Sequence, residues 1–356
     1  MITPDPTANR RTDPIAIVGA GLSGLACAQT LAEAGHCVHV FDKSRGPSGR
    51  MSTRRSSDGD MEWQCDHGAQ YFMAHDAEFR RAVWDWQQAG AAQVWQGRIG
   101  MHDGRDFAAQ DCLFDRFVGL PRMTSPAAYM VRSMQMRPQP VRFQWQTTIQ
   151  PLTSADAGPD GWLLHSPEHG TEPCRYQSVL VAVPAPQAAP LVAAVAPEAA
   201  LLSRSARMQP CWSVMVRCPR PVPLPVDGCI IEHGPLRWIA RDSSKPGRSG
   251  PETWLLHAGH HWSEAHLEDD AASVAATLLE AFAQLGGPDP ASVQATAHRW
   301  RYADTATPLN MGAWWDAATG LGMCGDWMHS GSVEGAWLSG RTLARHVHTA
   351  LHTHAD

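Results

Sequence analysis

The sequence predicts a two-domain α/β protein, and three observations carry this prediction. The chain has 356 residues, which exceeds the size of one average domain, and 44% of them are apolar and 18% charged. That balance is ordinary for a globular protein. A strand–turn–helix–strand pattern opens the chain, and an α/β pattern returns at its end after a strand-rich middle. Alternation of strands and helices is typical of sheets with helices packed on both faces.

The opening pattern predicts a dinucleotide-binding unit. The segment "PIAIVG" is a short apolar, β-branched run, which indicates a buried strand. Gly19, Gly21 and Gly24 follow with G-x-G-x-x-G spacing, and apolar residues then recur at helical spacing up to Gly35. A second strand ends in Asp42. In such a Rossmann-like unit the glycines allow a tight turn, close approach to a pyrophosphate and close helix packing.

The end of the chain favours FAD over NAD as the resident dinucleotide. Asp42 is suited to the adenosine ribose hydroxyls, and Lys43 follows it. In "MCGDW" a strand is expected to end at Asp326, whose carboxylate can hold a ribityl hydroxyl. In "VEGAWLSG" the amides near Gly335 and Ala336 are expected to point at the flavin pyrimidine carbonyl. A helix N-terminus there stabilises the negative charge of the reduced flavin.

We therefore predict an α/β two-domain flavoprotein. A Rossmann-like FAD-binding domain is joined to a substrate domain of mixed β-sheet and helices, which covers the open face of the flavin. The FAD-binding domain is assigned residues 1–74, 122–203 and 301–356, with 1–13 as a disordered arm, and the substrate domain residues 75–121 and 204–300.

Charge and composition argue against several other classes. The net charge of −6 disfavours a nucleic-acid surface, and the absence of an 18-residue apolar run disfavours a membrane span. The nine cysteines include no C-x-x-C, so we expect reduced thiols and a cytoplasmic location. His348 and His352 have helical i, i+4 spacing but no carboxylate or cysteine at ligand spacing. They are interpreted as a solvated face, and no metal site is predicted.

Three segments carry a family resemblance: "IAIVGAGLSGLACAQTLAEAGHCVHVFDKSRGPSGRMSTRR", "DHGAQYF" and "CGDW" followed by "EGAWLSG". They resemble the flavin amine oxidase superfamily, and within it the bacterial renalase group. The middle segments "VAVPAPQA", "RWIARDSSKP", "TWLLHA" and "HRWRYA" are the ones that point to renalase. The resemblance covers nearly the whole chain.

The resemblance implies a set of FAD contacts. Gln70 and Tyr71 of "DHGAQYF" would lie beside the isoalloxazine. Arg50 resembles the arginine of a G-G-R loop, although Ser48 replaces the first glycine here. No cysteine has the context of flavin attachment, so noncovalent FAD is expected. The residues implied to touch FAD are Gly19, Gly21, Gly24, Asp42, Lys43, Arg50, Asp326 and Ala336.

The resemblance also implies an activity. Renalases oxidise C2- and C6-reduced isomers of NAD(P)H to NAD(P)+, and O2 reoxidises the flavin, giving H2O2; bacterial members favour the C2 isomer. A dihydropyridine already donates hydride, so positioning is most of the task. Trp300 would form the wall opposite the flavin, and His257 and Asp242 match substrate-facing positions, although the family has asparagine at Asp242. Basic residues suited to steering the substrate pyrophosphate are Arg237, Arg241, Lys245, Arg248, Arg299 and Arg301.

Two alternatives stay open. One is an amine oxidase or desaturase-like flavoenzyme of the same superfamily. Many amine oxidases place two aromatic side chains beside the flavin and a lysine near its N5 atom. Of the two lysines here, only Lys245 suits that role, and the C-terminal flavin segment has Trp337 but no tyrosine. The other alternative is a flavin-binding redox sensor without turnover. The preferred isomer and the oligomeric state are not predicted.

Overall fold

The structure is a computed structural model that describes residues 13–58, 61–110 and 113–353. The predicted disordered arm, 1–13, lies outside these residues except for its last position. The helices are α1 Leu22–Glu33, α2 Ala77–Gln88, α3 Ser125–Gln135, α4 Ala185–Val192, α5 Pro197–Ser205, α6 His260–Ala265, α7 Ala271–Gln284 and α8 Val333–Thr353.

The strands up to the middle of the chain are β1 Ile15–Val18, β2 Val38–Asp42, β3 Thr53–Asp58, β4 Met61–Asp66, β5 Ala92–Val94, β6 Ile99–His102, β7 Phe107–Ala109, β8 Phe117–Gly119, β9 Arg142–Trp145, β10 Ala157–Gly158, β11 Gly161–Trp162, β12 His165–Ser166, β13 Gly170–Thr171 and β14 Ser178–Val181. The later strands are β15 Arg207–Cys218, β16 Gly228–Ile231, β17 Leu236–Arg241, β18 Glu252–Ala258, β19 Gln294–Thr307, β20 Trp314–Asp316 and β21 Leu321–Met323.

A six-stranded sheet of order β20-β21-β14-β1-β2-β9 is built around the first strand. All its pairings are parallel except that of β20 with β21. The side chains of β1 alternate between the two faces: Ile15 and Ile17 pack with α1, α3 and α8, whereas Ala16 and Val18 pack with α4 and α5. Burial on both faces explains why this strand is an unbroken apolar run. The sheet is therefore a helix-covered, Rossmann-like layer.

A seven-stranded sheet of order β19-β15-β18-β17-β16-β6-β7 forms the second layer. It is antiparallel except for the pairing of β16 with β6. Helix α7 covers one face, where Val274, Leu278 and Phe282 pack against Trp254 and Leu256. The opposite face is free to contribute side chains to a site. The prediction of a two-domain α/β fold with a mixed substrate-domain sheet is confirmed.

The predicted domain limits coincide with the sheets except at one strand. Every strand of the six-stranded sheet lies in the ranges assigned to the FAD-binding domain. In the seven-stranded sheet, β19 continues through the assigned boundary at 300/301 and ends at Thr307. The division itself stays a prediction. Among the described residues, no helix is both long and apolar enough to cross a membrane.

Helices α1 and α8 pack tightly against each other at a glycine of α8. A Cβ on Gly340 of α8 would lie only 2.0 Å from the Ser23 carbonyl oxygen of α1. Glycine therefore allows the two helices to approach closely. This contact fixes the position of both helix N-termini relative to the parallel sheet, and the candidate site lies at these two ends.

Candidate active site

The glycine turn after β1 leaves an open cradle at the start of α1. Gly19 has φ 111°, and its amide donates to the Phe41 carbonyl oxygen at 2.7 Å. A Cβ on Gly24 would lie 1.9 Å from the Gly19 carbonyl oxygen, so glycine is required there for packing. A Cβ on Gly21 would meet no atom within 4 Å, and this residue begins α1 without a side-chain cap. The turn thus offers unfilled space and uncapped helix amides.

Asp42 closes this cradle at the end of β2. Its Oδ2 accepts the Ala20 amide and its Oδ1 accepts the Ser44 amide, both at 2.7 Å. Each carboxylate oxygen keeps a further lone pair, so the half-buried side chain can also accept ribose hydroxyls. Lys43 is exposed beside it.

The loop after β2 joins two predicted cofactor residues from opposite ends of the chain. Arg50 Nη1 donates to Asp326 Oδ2 at 3.0 Å, and its Nη2 contacts the other carboxylate oxygen. Thr305 Oγ1 donates to the same carboxylate at 3.1 Å. The Asp326 side chain, which was expected to hold a ribityl hydroxyl, is thus directed at Arg50. Asp326 begins a short 3-10 turn that follows β21, rather than ending the strand itself.

At the start of α8 the structure corrects which amides are available. The Gly335 amide donates to Ser332 Oγ at 3.0 Å, and the Ala336 amide donates to the Ser332 carbonyl oxygen at 2.9 Å. Both expected donors are therefore engaged by the residue that caps the helix. The amides of Val333 and Glu334, which directly precede these two residues, have no acceptor among the described residues. They are the donors that the helix end can offer to a ligand.

The segment after β4 is held against both sheets. A Cβ on Gly68 would lie 1.9 Å from the Arg50 carbonyl oxygen, so this segment rests directly on the Arg50 loop. On its other side the His67 carbonyl oxygen accepts three side-chain hydrogen bonds. The donors are Ser213 Oγ at 3.0 Å, Trp300 Nε1 at 2.9 Å and His257 Nε2 at 3.3 Å.

Strand register brings these donors into one row. Ser213 of β15 pairs with His257 of β18 on one side and with His298 of β19 on the other. Trp300 lies two residues beyond His298, so it projects from the same face of the sheet. Its ring stacks on His67 with centroids 5.1 Å apart and meets His298 edge-on at 4.6 Å. The predicted residues Trp300 and His257 therefore share one aromatic face.

The histidines of this face are neutral. Burial, with smaller contributions from His298 and Arg54, lowers the pKa of His67 to about 4. Burial and the nearby Arg237 lower the pKa of His257 to about 3. Burial also lowers the pKa of His298. Because desolvation disfavours the charged imidazolium, the face carries no positive charge near pH 7.

A buried charge network lies next to Gln70. Lys245 Nζ donates to Asp242 Oδ1 at 2.8 Å and to Gln70 Oε1 at 3.2 Å, and lies 3.4 Å from Asp66 Oδ2. Arg248 contacts Asp66 as well. The side chains of the four charged residues are at most 2% exposed. Two cations thus balance two carboxylates, which buried charges require.

The two carboxyl groups of this network differ. Burial would raise the pKa of Asp66, but Lys245 and Arg248 outweigh it and hold that pKa at about 2. Burial dominates at Asp242 and raises its pKa. Asp242, which replaces the asparagine of the resembling group, contacts the Lys245 ammonium at 2.8 Å. Its carboxylate is not free to bind a cationic ring.

Tyr71 belongs to a separate aromatic group. Its half-buried ring lies 5.7 Å from Trp238 and 6.4 Å from Trp95, and the Arg116 guanidinium carbon lies 5.5 Å from its centroid. Gln70 connects this group to the histidine row, because its Nε2 donates to the Asp66 and Gly68 carbonyl oxygens at 2.7 and 3.1 Å. Gln70 and Tyr71 thus belong to segment 66–71, Trp300 and His257 contact it at the His67 carbonyl oxygen, and Asp242 is linked to it through Lys245.

The basic residues that were expected to steer an anion all lie in ion pairs. All six have a carboxylate partner. Arg237 pairs with Asp304, Arg241 with Asp227 and Glu252, Lys245 with Asp66 and Asp242, Arg248 with Asp66, and Arg299 and Arg301 with Glu268. The charges of the first four are thus compensated locally, whereas Arg299 and Arg301 share the one carboxylate of Glu268 and keep a net positive charge.

Comparisons with known proteins agree with this geometry. Residues 17–86 match the family described as an NAD(P)-binding Rossmann-like domain. Residues 109–348, more than half of the chain, match the family described as flavin containing amine oxidoreductase. The chain belongs to the flavin-containing amine oxidoreductase family. It is accordingly a flavin-dependent oxidoreductase with FAD as cofactor.

The solved structures that are similar to this chain belong to proteins with different names and activities. The cyclohexylamine oxidase of Brevibacterium oxydans IH-35A has a TM-score of 0.71 at 12% identity, covering 96% of this chain and 100% of its own. Reduced UDP-galactopyranose mutase has a TM-score of 0.68 at 11% identity, with coverage of 94% and 95%. A redesigned putrescine oxidase has a TM-score of 0.63 at 11% identity, with coverage of 94% and 98%. At such identities the likeness establishes the fold alone.

The residues of this amine oxidoreductase family member fit FAD. The space at Gly21 and the uncapped start of α1 suit a pyrophosphate. Four buried ring nitrogens have no hydrogen-bond partner among the described residues: His67 Nδ1, Trp238 Nε1, Trp315 Nε1 and His329 Nδ1. Such orphaned groups are uncommon in a buried setting and are satisfied when a polar ligand binds. His67 and Trp238 border the predicted flavin segment, and His329 Nδ1 lies near Gly335.

Sequence reasoning missed several residues of this site. Asp66 and His67 belong to "DHGAQYF" and His298 belongs to "HRWRYA", but no pattern in either segment predicts a role for these three residues. An acidic residue shortly before a glycine, as Asp66 is before Gly68, indicates a functional site only weakly. The i, i+2 spacing of His298 and Trp300 on a predicted strand did place both on one face. Their convergence on one carbonyl depends on strand register, which no local pattern encodes.

Proposed function

We propose that this flavoenzyme oxidises isomeric dihydronicotinamide dinucleotides, the C2- or C6-reduced forms of NAD(P)H. The observation that carries the proposal is the neutral aromatic face formed by His67, His257, His298 and Trp300. A dihydropyridine needs a flat apolar wall and a few polar anchors, and it needs no base because it donates hydride directly. The resemblance of the middle segments to renalases supports the same substrate.

The overall reaction balances as dihydronicotinamide plus O2 and a proton giving NAD(P)+ and H2O2. FAD, held noncovalently, would supply the two-electron redox chemistry that links the dinucleotide to oxygen. The chain's own residues orient the ring and exclude water. Trp300 provides the wall, since its Nε1 is fixed by the His67 carbonyl oxygen. His67 Nδ1 and Trp238 Nε1 are the unpartnered buried groups suited to anchor a carboxamide.

A second candidate is oxidation of an amine, or a related desaturation, and one contact favours it. Lys245 is buried beside Gln70, in the region where amine oxidases of the superfamily place a lysine. Its ammonium is nevertheless held by Asp66 and Asp242. That compensation fits a structural role better than a free lysine that binds water. A cytoplasmic location also stays a prediction, supported by the unpaired thiols of the described cysteines.

Anaerobic mixing distinguishes the candidates. The FAD-bound protein is mixed separately with the C2-, C6- and ordinary C4-reduced dinucleotides and with a panel of amines, and bleaching of the flavin absorbance is followed. We expect rapid bleaching by a C2 or C6 isomer. Rapid bleaching by amines and none by the isomers would overturn the proposal in favour of the second candidate. Absence of bleaching by every compound would support a redox sensor instead.

Two tryptophan variants test the wall. Trp300→Ala is expected to slow bleaching by at least about tenfold, equivalent to about 1.4 kcal/mol in the barrier, while FAD is retained. Trp262→Ala is the matched control, because Trp262 is also half-buried but stacks on His266 away from this face. Equal rates for the two variants would remove Trp300 from the substrate site.

A further inference from the structure

Three histidines meet at the end of α8, away from the cofactor cradle. His36 lies in the turn between α1 and β2 and is 8% exposed. His348 and His352 project from one face of α8. His36 Nε2 lies 3.0 Å from His348 Nδ1, although the two residues are 312 positions apart in the chain. One ring nitrogen from each of the three residues lies within 4.8 Å of the other two.

The rings are arranged as ligands of one ion would be. Their centroids are 5.3 Å apart for His36 and His348, 5.8 Å for His36 and His352, and 4.1 Å for His348 and His352. In a tetrahedral zinc site with Zn–N distances of about 2.0–2.1 Å, ligand nitrogens are separated by roughly 3.3 Å. Side-chain adjustments of about 1 Å would bring the three nitrogens to that separation.

A backbone hydrogen bond leaves the lone pair of His352 available for a metal. His352 Nδ1 lies 2.9 Å from the His348 carbonyl oxygen, which can only accept. The proton must therefore be on Nδ1, and Nε2 keeps its lone pair. A hydrogen bond of this kind to a backbone carbonyl is the usual way in which proteins orient a ligating histidine.

We propose that His36, His348 and His352 bind one divalent transition-metal ion of the Zn²⁺ class, with water at the fourth position. Imidazole nitrogens suit Zn²⁺ and not Mg²⁺, which prefers oxygen. The ion ties the end of α8 to the turn that follows α1. The sequence suggested a solvated face because only two of the three ligands have local spacing, and folding supplies the third.

Calorimetric titration of the FAD-bound protein with Zn²⁺ alone tests the site. We expect one Zn²⁺ per chain, a rise in Tm that grows with Zn²⁺ concentration, and no response to Mg²⁺. His352→Ala removes an exposed ligand without disturbing the core, and is expected to weaken Zn²⁺ binding by at least about tenfold. His36→Ala is expected to do the same. His346→Ala, an exposed histidine two residues from His348, should leave binding unchanged.

The proposal is overturned if the parent protein does not bind Zn²⁺, or if binding survives in both His36→Ala and His352→Ala. It is also overturned if His346→Ala weakens binding as much as they do. The metal-free Tm of each variant establishes that it is folded. If the buried His36 cannot be replaced without unfolding, the exposed His352 alone decides. None of these measurements depends on the identity of the flavin substrate.

Discussion

Ser48 adopts a backbone conformation that favours glycine. Its φ is 114°, and the residue is buried where the Arg50 loop passes the glycine cradle. Its amide donates to the Ala20 carbonyl oxygen at 3.0 Å, so the conformation is held by the cofactor turn itself. The resembling family has glycine at this position. The loop thus keeps its geometry with serine, at a cost in backbone strain of roughly 1–3 kcal/mol.

Replacing Ser48 by glycine is expected to stabilise the protein. Removing the strain outweighs the larger conformational entropy of glycine in the unfolded chain, roughly 0.5–1 kcal/mol, so a net gain of about 1 kcal/mol is expected. The measurement is the free energy of unfolding in urea at a fixed excess of FAD. Ser44→Gly, in the same loop but without a positive φ, should instead lose stability. A loss for Ser48→Gly equal to that of Ser44→Gly would contradict the strain argument.

Asp242 is the other residue at which the chain departs from the resembling group, and its neighbours explain it. The sequence suggested an effect on substrate recognition. In the folded chain the carboxylate contacts Lys245, which is three residues away and fully buried. A buried ammonium needs such a partner. The presence of aspartate in place of asparagine at position 242 is therefore explained by its contact with Lys245.

Helix α1 begins in a turn whose glycines have different functions. Gly24 is needed for packing, because a Cβ there would collide with the Gly19 carbonyl oxygen at 1.9 Å. Gly21 has ordinary extended dihedral angles and open space around its missing Cβ. We therefore expect the absence of a side chain at Gly21 to matter for the binding of a ligand and not for the packing of the protein. The motif therefore combines one structural requirement with one binding requirement.

Alanine substitutions separate these two requirements. Gly24→Ala is expected to lower the free energy of unfolding by roughly 1–3 kcal/mol through overpacking. Gly21→Ala should change stability by only a few tenths of a kcal/mol as a helix-start substitution, yet weaken FAD binding at least about tenfold, since its methyl group occupies the pyrophosphate space. The measurements are urea unfolding at fixed FAD and the FAD dissociation constant. Gly46→Ala, where a Cβ also meets nothing within 4 Å, is the control. Normal FAD binding by Gly21→Ala would place the pyrophosphate elsewhere.

For the whole molecule, the buried neutral histidines make stability depend on pH. Burial depresses the pKa of His67 to about 4 and of His257 to about 3, from the ordinary value of 6.5. Below pH 6.5 the unfolded chain takes up protons at both residues while the folded chain does not. Because the unfolded state then binds more protons, stability falls as the pH falls. The stability that the neutral state of these two histidines gives to the folded protein is fully present above about pH 6.5 and is lost progressively as the pH falls toward 3.

At pH 5, each of these two histidines is expected to reduce stability by roughly 2 kcal/mol relative to neutral pH. Urea unfolding of the FAD-bound protein at pH 7 and pH 5 measures the difference. His257→Gln should show a pH-dependent loss smaller by about 2 kcal/mol, whatever its stability at pH 7. The exposed His346→Gln should lose as much as the parent protein. An unchanged pH-dependent loss in His257→Gln would mean that His257 is protonated in the folded state.

Much of the first layer could be predicted from local patterns. The strand, glycine turn, helix and terminal Asp42 are all specified within a short stretch by periodicity and by the few conformations that glycine allows. The return of the chain to the cofactor was predicted from "CGDW" and "EGAWLSG". The exact donors were not, since Ser332 engages the amides of Gly335 and Ala336. Capping depends on where the helix begins, and this is the least certain feature of a sequence pattern.

By itself, the sequence determined the α/β class and the dinucleotide-binding turn, because each depends on residues close together in the chain, and it indicated FAD through two such local motifs at opposite ends of the chain. The tertiary structure decided which distant side chains meet. Strand register placed Ser213, His257 and Trp300 on the His67 carbonyl oxygen. Folding also paired Arg50 with Asp326 and brought His36 to His348. Contacts between residues hundreds of positions apart arise from sheet order and helix packing, and local spacing carries no information about them.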